Sequence, residues 1–278
     1  MIHSNSEGDI YIEEMPLLLV HLREEEKGAD ARLSEVLSYA LDGYAYETAM
    51  EISAFEDYVN RWRRLEKTQN RKNPVQGRIL FAVPLGTSGI NLELYRLIRF
   101  LREHPDFLNG FVGGLLVDSE NDLYSKSAAK DLVFAANCAG CAFVGRPLVE
   151  GTRTLSNYTI VSNNLGTDLM GAYRESAAGL VKEVLGTDCV RKKCPKVLVL
   201  HASSHKTSNT YAIWDRVKEQ LPEMEIREIG LRNGTLSDCA GCPYKMCLHF
   251  GEQGSCFYGG VMVEDVYPAV READAIVM

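Results

Sequence analysis

The chain has 278 residues, of which 46% are hydrophobic and 24% charged, and its net charge is −8. That length suits about two domains, the acidic balance argues against nucleic acid as the main partner, and no apolar run reaches the ~18 residues of a membrane-spanning helix. Eight cysteines follow an N-terminus without the basic-then-apolar order of a secretory signal, so they read as reduced thiols or a metal site in a cytoplasmic protein.

Residues 1–16 are polar and peripheral. Leu17 to Leu22 (LLLVHL) has the apolar density of a short buried strand. From Asp30 to Lys67 the apolar residues recur at helical spacing, with Gly43 dividing two helices. The outer face carries Arg61, Arg63, Arg64 and Lys67, a basic run that reads as a solvated helix face. Thr68 to Gly77 is polar, contains Pro74, and reads as a loop.

A strand–helix alternation follows. The pattern predicts strands at Ile79–Val83, Phe111–Val117 and Ala142–Val144, with helices at Asn91–His104, Ser127–Ala139 and Thr167–Leu185. Alternation of this kind calls for a parallel sheet covered by helices. Two of its loops could meet a ligand. Pro84 to Gly89 (PLGTSG) leads from a strand into a helix but lacks a complete phosphate-binding fingerprint, and a structural turn is the preferred reading. Asp118 to Lys126 (DSENDLYSK) leaves a strand where open α/β sheets bind ligands; a solvated acidic loop is the alternative. Cys138-Ala-Gly-Cys141 falls at the C-terminal end of a predicted helix. The dipole there disfavours a thiolate, so these are expected to be buried packing cysteines.

Thr187 to Pro195 is short and basic, and carries Cys189 and Cys194 as linker thiols. It separates a first α/β domain (residues 1–190) from a second (residues 196–278). Lys196 to Leu200 predicts a buried strand, and Ile213, Val217 and Leu221 predict a helix beginning near Asn209. Between them lies a loop crowded with hydroxyls and amides: Ser203, Ser204, Thr207, Ser208, Asn209 and Thr210. A strand feeding such a loop into a helix N-terminus can cradle a phosphate, and it can equally be an ordinary capped turn.

Met224 to Ile229 reads as a second strand. Then Cys239, Cys242, Cys247 and Cys256 form a C-x2-C-x4-C-x8-C series. Four thiols so close in sequence could hold an iron–sulfur cluster or, less readily, a zinc ion, with His249 as a substitute ligand. Free thiols in a loop are the alternative. Glu264–Ala273 predicts a short helix with Pro268 awkwardly inside it, and Asp274–Met278 a third strand.

The loop Ala202-Ser-Ser-His-Lys-Thr-Ser-Asn-Thr210 resembles the G-S-P-R-K-x-G-N-T loop of the NADPH-dependent FMN reductase family, which includes the iron–sulfur flavoproteins. The order of features continues through Gly230-Leu231, Cys239-x-Gly-Cys242, Gly254-x-Cys256 and Ala273-Asp-x-Ile276. The resemblance implies a flavodoxin-like α/β fold with helices on both faces of a parallel sheet. It implies FMN held by Ser203, His205, Ser208, Asn209 and Thr210, and NAD(P)H as reductant. It also implies a cluster on Cys239, Cys242, Cys247 and Cys256, a small-molecule or protein electron acceptor, and a homo-oligomer. Ala202 and Ser208 depart from the motif by replacing glycines, and the third and fourth cysteines are spaced more widely. On this reading the second domain stops after its third strand, as a fragment would, and the run from 78 to 145 looks like the later part of such a fold, which makes the first domain a diverged relative. The expected activity is FMN-dependent NAD(P)H oxidoreduction; a zinc- or cluster-stabilised binding module without catalysis is the alternative.

Overall fold

A computed structural model describes residues 15–21, 23, 27–68, 76–189, 192–203, 208–231 and 239–278. The chain divides into two compact units, residues 1–189 and 190–278, and each has its own parallel sheet.

The first unit runs β1 (Leu17–His21), α1 (Lys27–Ala40), β2 (Tyr46–Ala49), α2 (Ile52–Thr68), β3 (Gly77–Leu85), α3 (Leu92–Glu103), β4 (Phe111–Ser119), α4 (Ser125–Cys138), β5 (Ala142–Gly151), α5 (Thr159–Leu165) and α6 (Leu169–Gly186). Its strands pair in the order β2-β1-β3-β4-β5, all parallel. That is the flavodoxin-like order, with its reversal between β1 and β3. Side chains of successive strand residues point to opposite faces. Leu18, Val20, Ile79, Phe81 and Val83 therefore pack with Phe55, Trp62, Leu97 and Leu132 of α2, α3 and α4. Leu17, Leu19, Leu80 and Ala82 pack with Leu33 and Val36 of α1 and Leu180 and Val181 of α6. Helices cover both faces, so the central strands are apolar throughout rather than alternating.

Three elements differ from the sequence expectation. β2 stands where the pattern predicts helix; it is four residues long, half-exposed and at the sheet edge, so it carries little strand patterning. β5 extends to ten residues. Its register against β4 jumps from Gly113↔Phe143 to Leu115↔Leu148, leaving residues 144–147 opposite Gly114 alone. Pro147, which has no amide to give to a ladder, is absorbed by that bulge. α5 follows β5 without a sequence expectation of its own.

The second unit runs β6 (Lys196–His201), α7 (Asn209–Lys218), β7 (Glu225–Gly230), α8 (Tyr244–Glu252), a π turn (Met262–Val266), α9 (Tyr267–Glu272) and β8 (Ala275–Val277). Its order is β7-β6-β8, again parallel. Numbered within the unit this is 2-1-3, the opening of the same doubly wound pattern. The core is small: Val197 and Val199 of β6 meet Trp214 of α7, with Tyr211, Leu221, Met224 and Ile226 partly buried around them. Pro268 lies in the first turn of α9, directly after the π turn, an irregularity in the hydrogen-bond ladder of the kind found where a proline removes an amide. α8 is unexpected. It occupies the cysteine loop and buries none of its residues. The parallel α/β class expected from the sequence is borne out.

Candidate functional site

In the second unit the candidate site is built from the end of β6 and the start of α7. Ser208 takes the N-cap position at φ −68° and ψ 119°, and its hydroxyl accepts a hydrogen bond from the Tyr211 amide at 3.3 Å. The Ser208 carbonyl accepts from the Ala212 amide at 3.0 Å. Helix geometry leaves the amides of Asn209 and Thr210 without an intrahelical acceptor, and both residues are exposed at the positive end of the helix dipole. Ser203 is half-buried at the other side of the loop. His205 lies outside the described residues.

Two further observations bear on whether a phosphate fits. Ser208 replaces a glycine of the resembled motif, yet its φ is one that any residue adopts, so the substitution carries no backbone strain. The ring of His201, the last residue of β6, lies 5.0 Å from the ring of Tyr211. Its Nδ1 is shielded from water without a hydrogen-bond partner among the described residues. The free amides of Asn209 and Thr210 and the hydroxyls of Ser208 and Thr210 are the donor chemistry that an anionic phosphate takes, so this helix start is compatible with the phosphate end of FMN.

Sequence patterning does not reveal Glu228, in the middle of β7. Its carboxylate accepts from the Tyr211 hydroxyl at 2.6 Å, the Trp214 indole N–H at 3.1 Å and the Lys218 ammonium at 2.8 Å. The Lys218 hydrogen bond first, then those of Tyr211 and Trp214, hold its pKa at about 2 against partial burial. Parity along β7 was the available signal. Glu228 shares a face with Ile226, which packs beside Trp214, so a charge was due on the helix-covered side. The motif residue Asp274 is likewise structural. It accepts from the Lys196 amide at 2.9 Å and the Lys192 ammonium at 2.6 Å, tying the start of β6 to β8.

The cysteines do not fit a cluster. All eight are free, and among the described residues no group of three or more His, Cys, Asp or Glu side chains converges as a metal site. Cys239, Cys247 and Cys256 are exposed and Cys242 is half-buried. The physical reason is α8. It carries Cys247 along a helix that packs nothing into the core, so the four thiols do not close round one centre. Of the earlier pair, Cys141 is buried and Cys138, the last residue of α4, is exposed; only the first of these matches the packing expectation.

In the first unit the two loops singled out by sequence come together. In register, Pro84 lies beside Asp118 and Leu85 beside Ser119. The Asn121 amide donates to the Thr87 carbonyl at 3.1 Å, the Glu120 amide to Leu85 at 3.0 Å, and the Thr154 hydroxyl to Asp122 at 3.0 Å. Asn91 caps α3, accepting from the Leu94 amide at 2.8 Å while its own amide donates to Pro84 at 2.9 Å. PLGTSG is thus a structural turn inside a hydrogen-bonded rim. Asp118 is not solvated. Fully buried, it receives Arg32 Nε at 3.0 and 3.1 Å and Nη2 at 2.6 Å. Burial pushes its carboxyl up and Arg32 pulls it down. At the end of β1, His21 meets Asp30 at 2.8 Å, and burial lowers its pKa against that carboxylate.

Searches of curated proteins and of solved structures gave no match to the chain. Residues 195–278 match the model of the family described as NADPH-dependent FMN reductase, and it is to these flavin-dependent oxidoreductases that the C-terminal unit is similar.

Proposed function

We infer that the chain works as a flavin-dependent NAD(P)H oxidoreductase whose second unit holds FMN by its phosphate. The observation that carries this reading is the open, strain-free N-terminus of α7 with Ser203, Ser208, Asn209 and Thr210 around it, inside the region matched by the family model. Bound FMN would supply hydride and single-electron transfer, chemistry that belongs to the cofactor. This chain's residues do the holding. The amides of Asn209 and Thr210 and the hydroxyls of Ser203, Ser208 and Thr210 would donate to phosphate oxygens, and the helix dipole would favour the anion. By the resemblance, His205 would add a ring N–H donor. NAD(P)H is the reductant, and a small molecule or protein is the acceptor.

No electron relay through Cys239, Cys242, Cys247 and Cys256 enters this reading, because their arrangement does not fit a cluster. The purified full-length protein is expected to be yellow, to release FMN on denaturation, and to hold less than stoichiometric iron and acid-labile sulfide. A colourless protein that does not take up FMN at micromolar concentration overturns the flavin reading. In that event the second reading, an α/β module binding another phosphorylated ligand without catalysis, is the one that Ala202 and Ser208 in place of motif glycines support. A thermal-shift panel of FMN, FAD and nucleotides distinguishes the two, since binding raises apparent stability.

A further inference from the structure

We propose that Glu228 is a positioning residue for the phosphate cradle, acting through Tyr211 on the first turn of α7; the proposal rests on the phosphate-binding reading above. The three groups that converge on this carboxylate come from successive turns of one helix. Tyr211 belongs to the first turn, Trp214 to the second, and Lys218 is the last helical residue. A single anchor on β7 thereby fixes the rotation and depth of the whole helix against the sheet.

The bond to Tyr211 matters most for a ligand. The Tyr211 amide is the one capped by Ser208, and its ring lies against His201 at the end of β6. Fixing the Tyr211 side chain therefore fixes the turn that presents the Asn209 and Thr210 amides. The alternative to such an anchor is weak, because among the described residues the apolar packing of α7 amounts to Trp214 as its one buried side chain, with Tyr211 partly buried beside it. A ten-residue helix with so little packing is marginal without tertiary support. Lys218 has a different part. It neutralises the carboxylate, so that an anchoring anion does not oppose an anionic ligand, and it does so from the end of the helix remote from the cradle.

That division of labour gives the test. Tyr211→Phe, Lys218→Met and Glu228→Gln are each compared with the full-length protein for FMN affinity by fluorescence titration, for thermal midpoint, and for amide exchange of residues 208–212. Tyr211→Phe is expected to weaken FMN about tenfold, the order of one charge-assisted hydrogen bond, and to speed exchange at 208–212 with little change in midpoint. Lys218→Met is expected to lower the midpoint while FMN affinity stays within about twofold. Glu228→Gln moves both. Loss of affinity in simple proportion to loss of stability across the three variants, or unchanged FMN affinity in Tyr211→Phe, overturns the positioning role. If the unaltered protein binds no FMN, the flavin reading fails separately; the exchange measurement then decides alone, and unchanged exchange at 208–212 in Tyr211→Phe overturns the proposal.

Discussion

At the scale of single residues, two buried or half-buried carboxylates organise the two units in opposite electrostatic conditions. Glu228 has a folded pKa of about 2 against an ordinary 4.5. A depressed carboxylate stabilises the fold above its unfolded value, and that contribution is lost as pH falls towards the folded one. The protection of α7 peptides from hydrogen exchange, referred to the intrinsic exchange rate at each pH, is accordingly expected to fall between about pH 4.5 and pH 2, and Glu228→Gln is expected to flatten that segment. An equal pH response in the variant would refute it. Asp118 faces no water and is met by Arg32 from α1. Removing the guanidinium leaves the fully buried carboxylate uncompensated, so Arg32→Met is expected to cost about 3–5 kcal/mol in urea unfolding. The sequence placed Asp118 at a strand end but could not say whether its carboxylate met solvent or guanidinium. Arg32 lies 86 positions away along the chain, and only the tertiary fold joins them.

At the scale of elements, the same four residues, Cys-Ala-Gly-Cys, occur at 138–141 and 239–242 with the glycine left-handed in both, at φ +95° and φ +67°. The helices they adjoin decide their fates. The first pair closes α4, where Cys141 is buried and its thiol is pushed up by desolvation. The second precedes α8, where Cys239 is exposed. Brief treatment of native protein with iodoacetamide, read by peptide mass spectrometry, is expected to label Cys239 and to spare Cys141 until the chain is unfolded; early labelling of Cys141 would contradict the buried assignment. The approach of β4 to α6 is a second element-scale feature. A Cβ at Gly114 would stand 2.7 Å from Val184 Cγ2 and 2.9 Å from Leu180 Cδ1. Gly114→Ala is therefore expected to destabilise by about 1–3 kcal/mol through overpacking, measured as a shift in urea midpoint. Strong, long apolar patterns were legible in advance: α3, with Asn91 as its cap, matches the expected helix, as do β1, β3, β4 and β6 within a residue or two at most ends. The weak ones were not. β2 is short and half-exposed, and α8 has no buried face to give it a period.

At the scale of the whole molecule, the two units differ in how much core they hold. The first buries apolar side chains on both faces of its sheet, whereas the second buries only Val197, Leu198, Val199, Trp214, Val266 and Ala269 among the described residues and has a β8 exposed along its length. Protection from hydrogen exchange is therefore expected to be deep in β1, β3 and β4 and shallow in β8. Among the described residues no helix is long and apolar enough to cross a membrane. What the sequence by itself determined was the parallel α/β class, the strand–loop–helix at 196–218 and the family it resembles. These are local matters of periodicity, capping and motif order, written in neighbouring residues. Only the tertiary structure decided that the first unit has the complete 2-1-3-4-5 order, that among the described residues the cysteine series does not close round a metal, and that Glu228 meets three side chains of α7. Each of those depends on which distant backbone a side chain meets, and a one-dimensional pattern of charge and hydropathy carries no such distance.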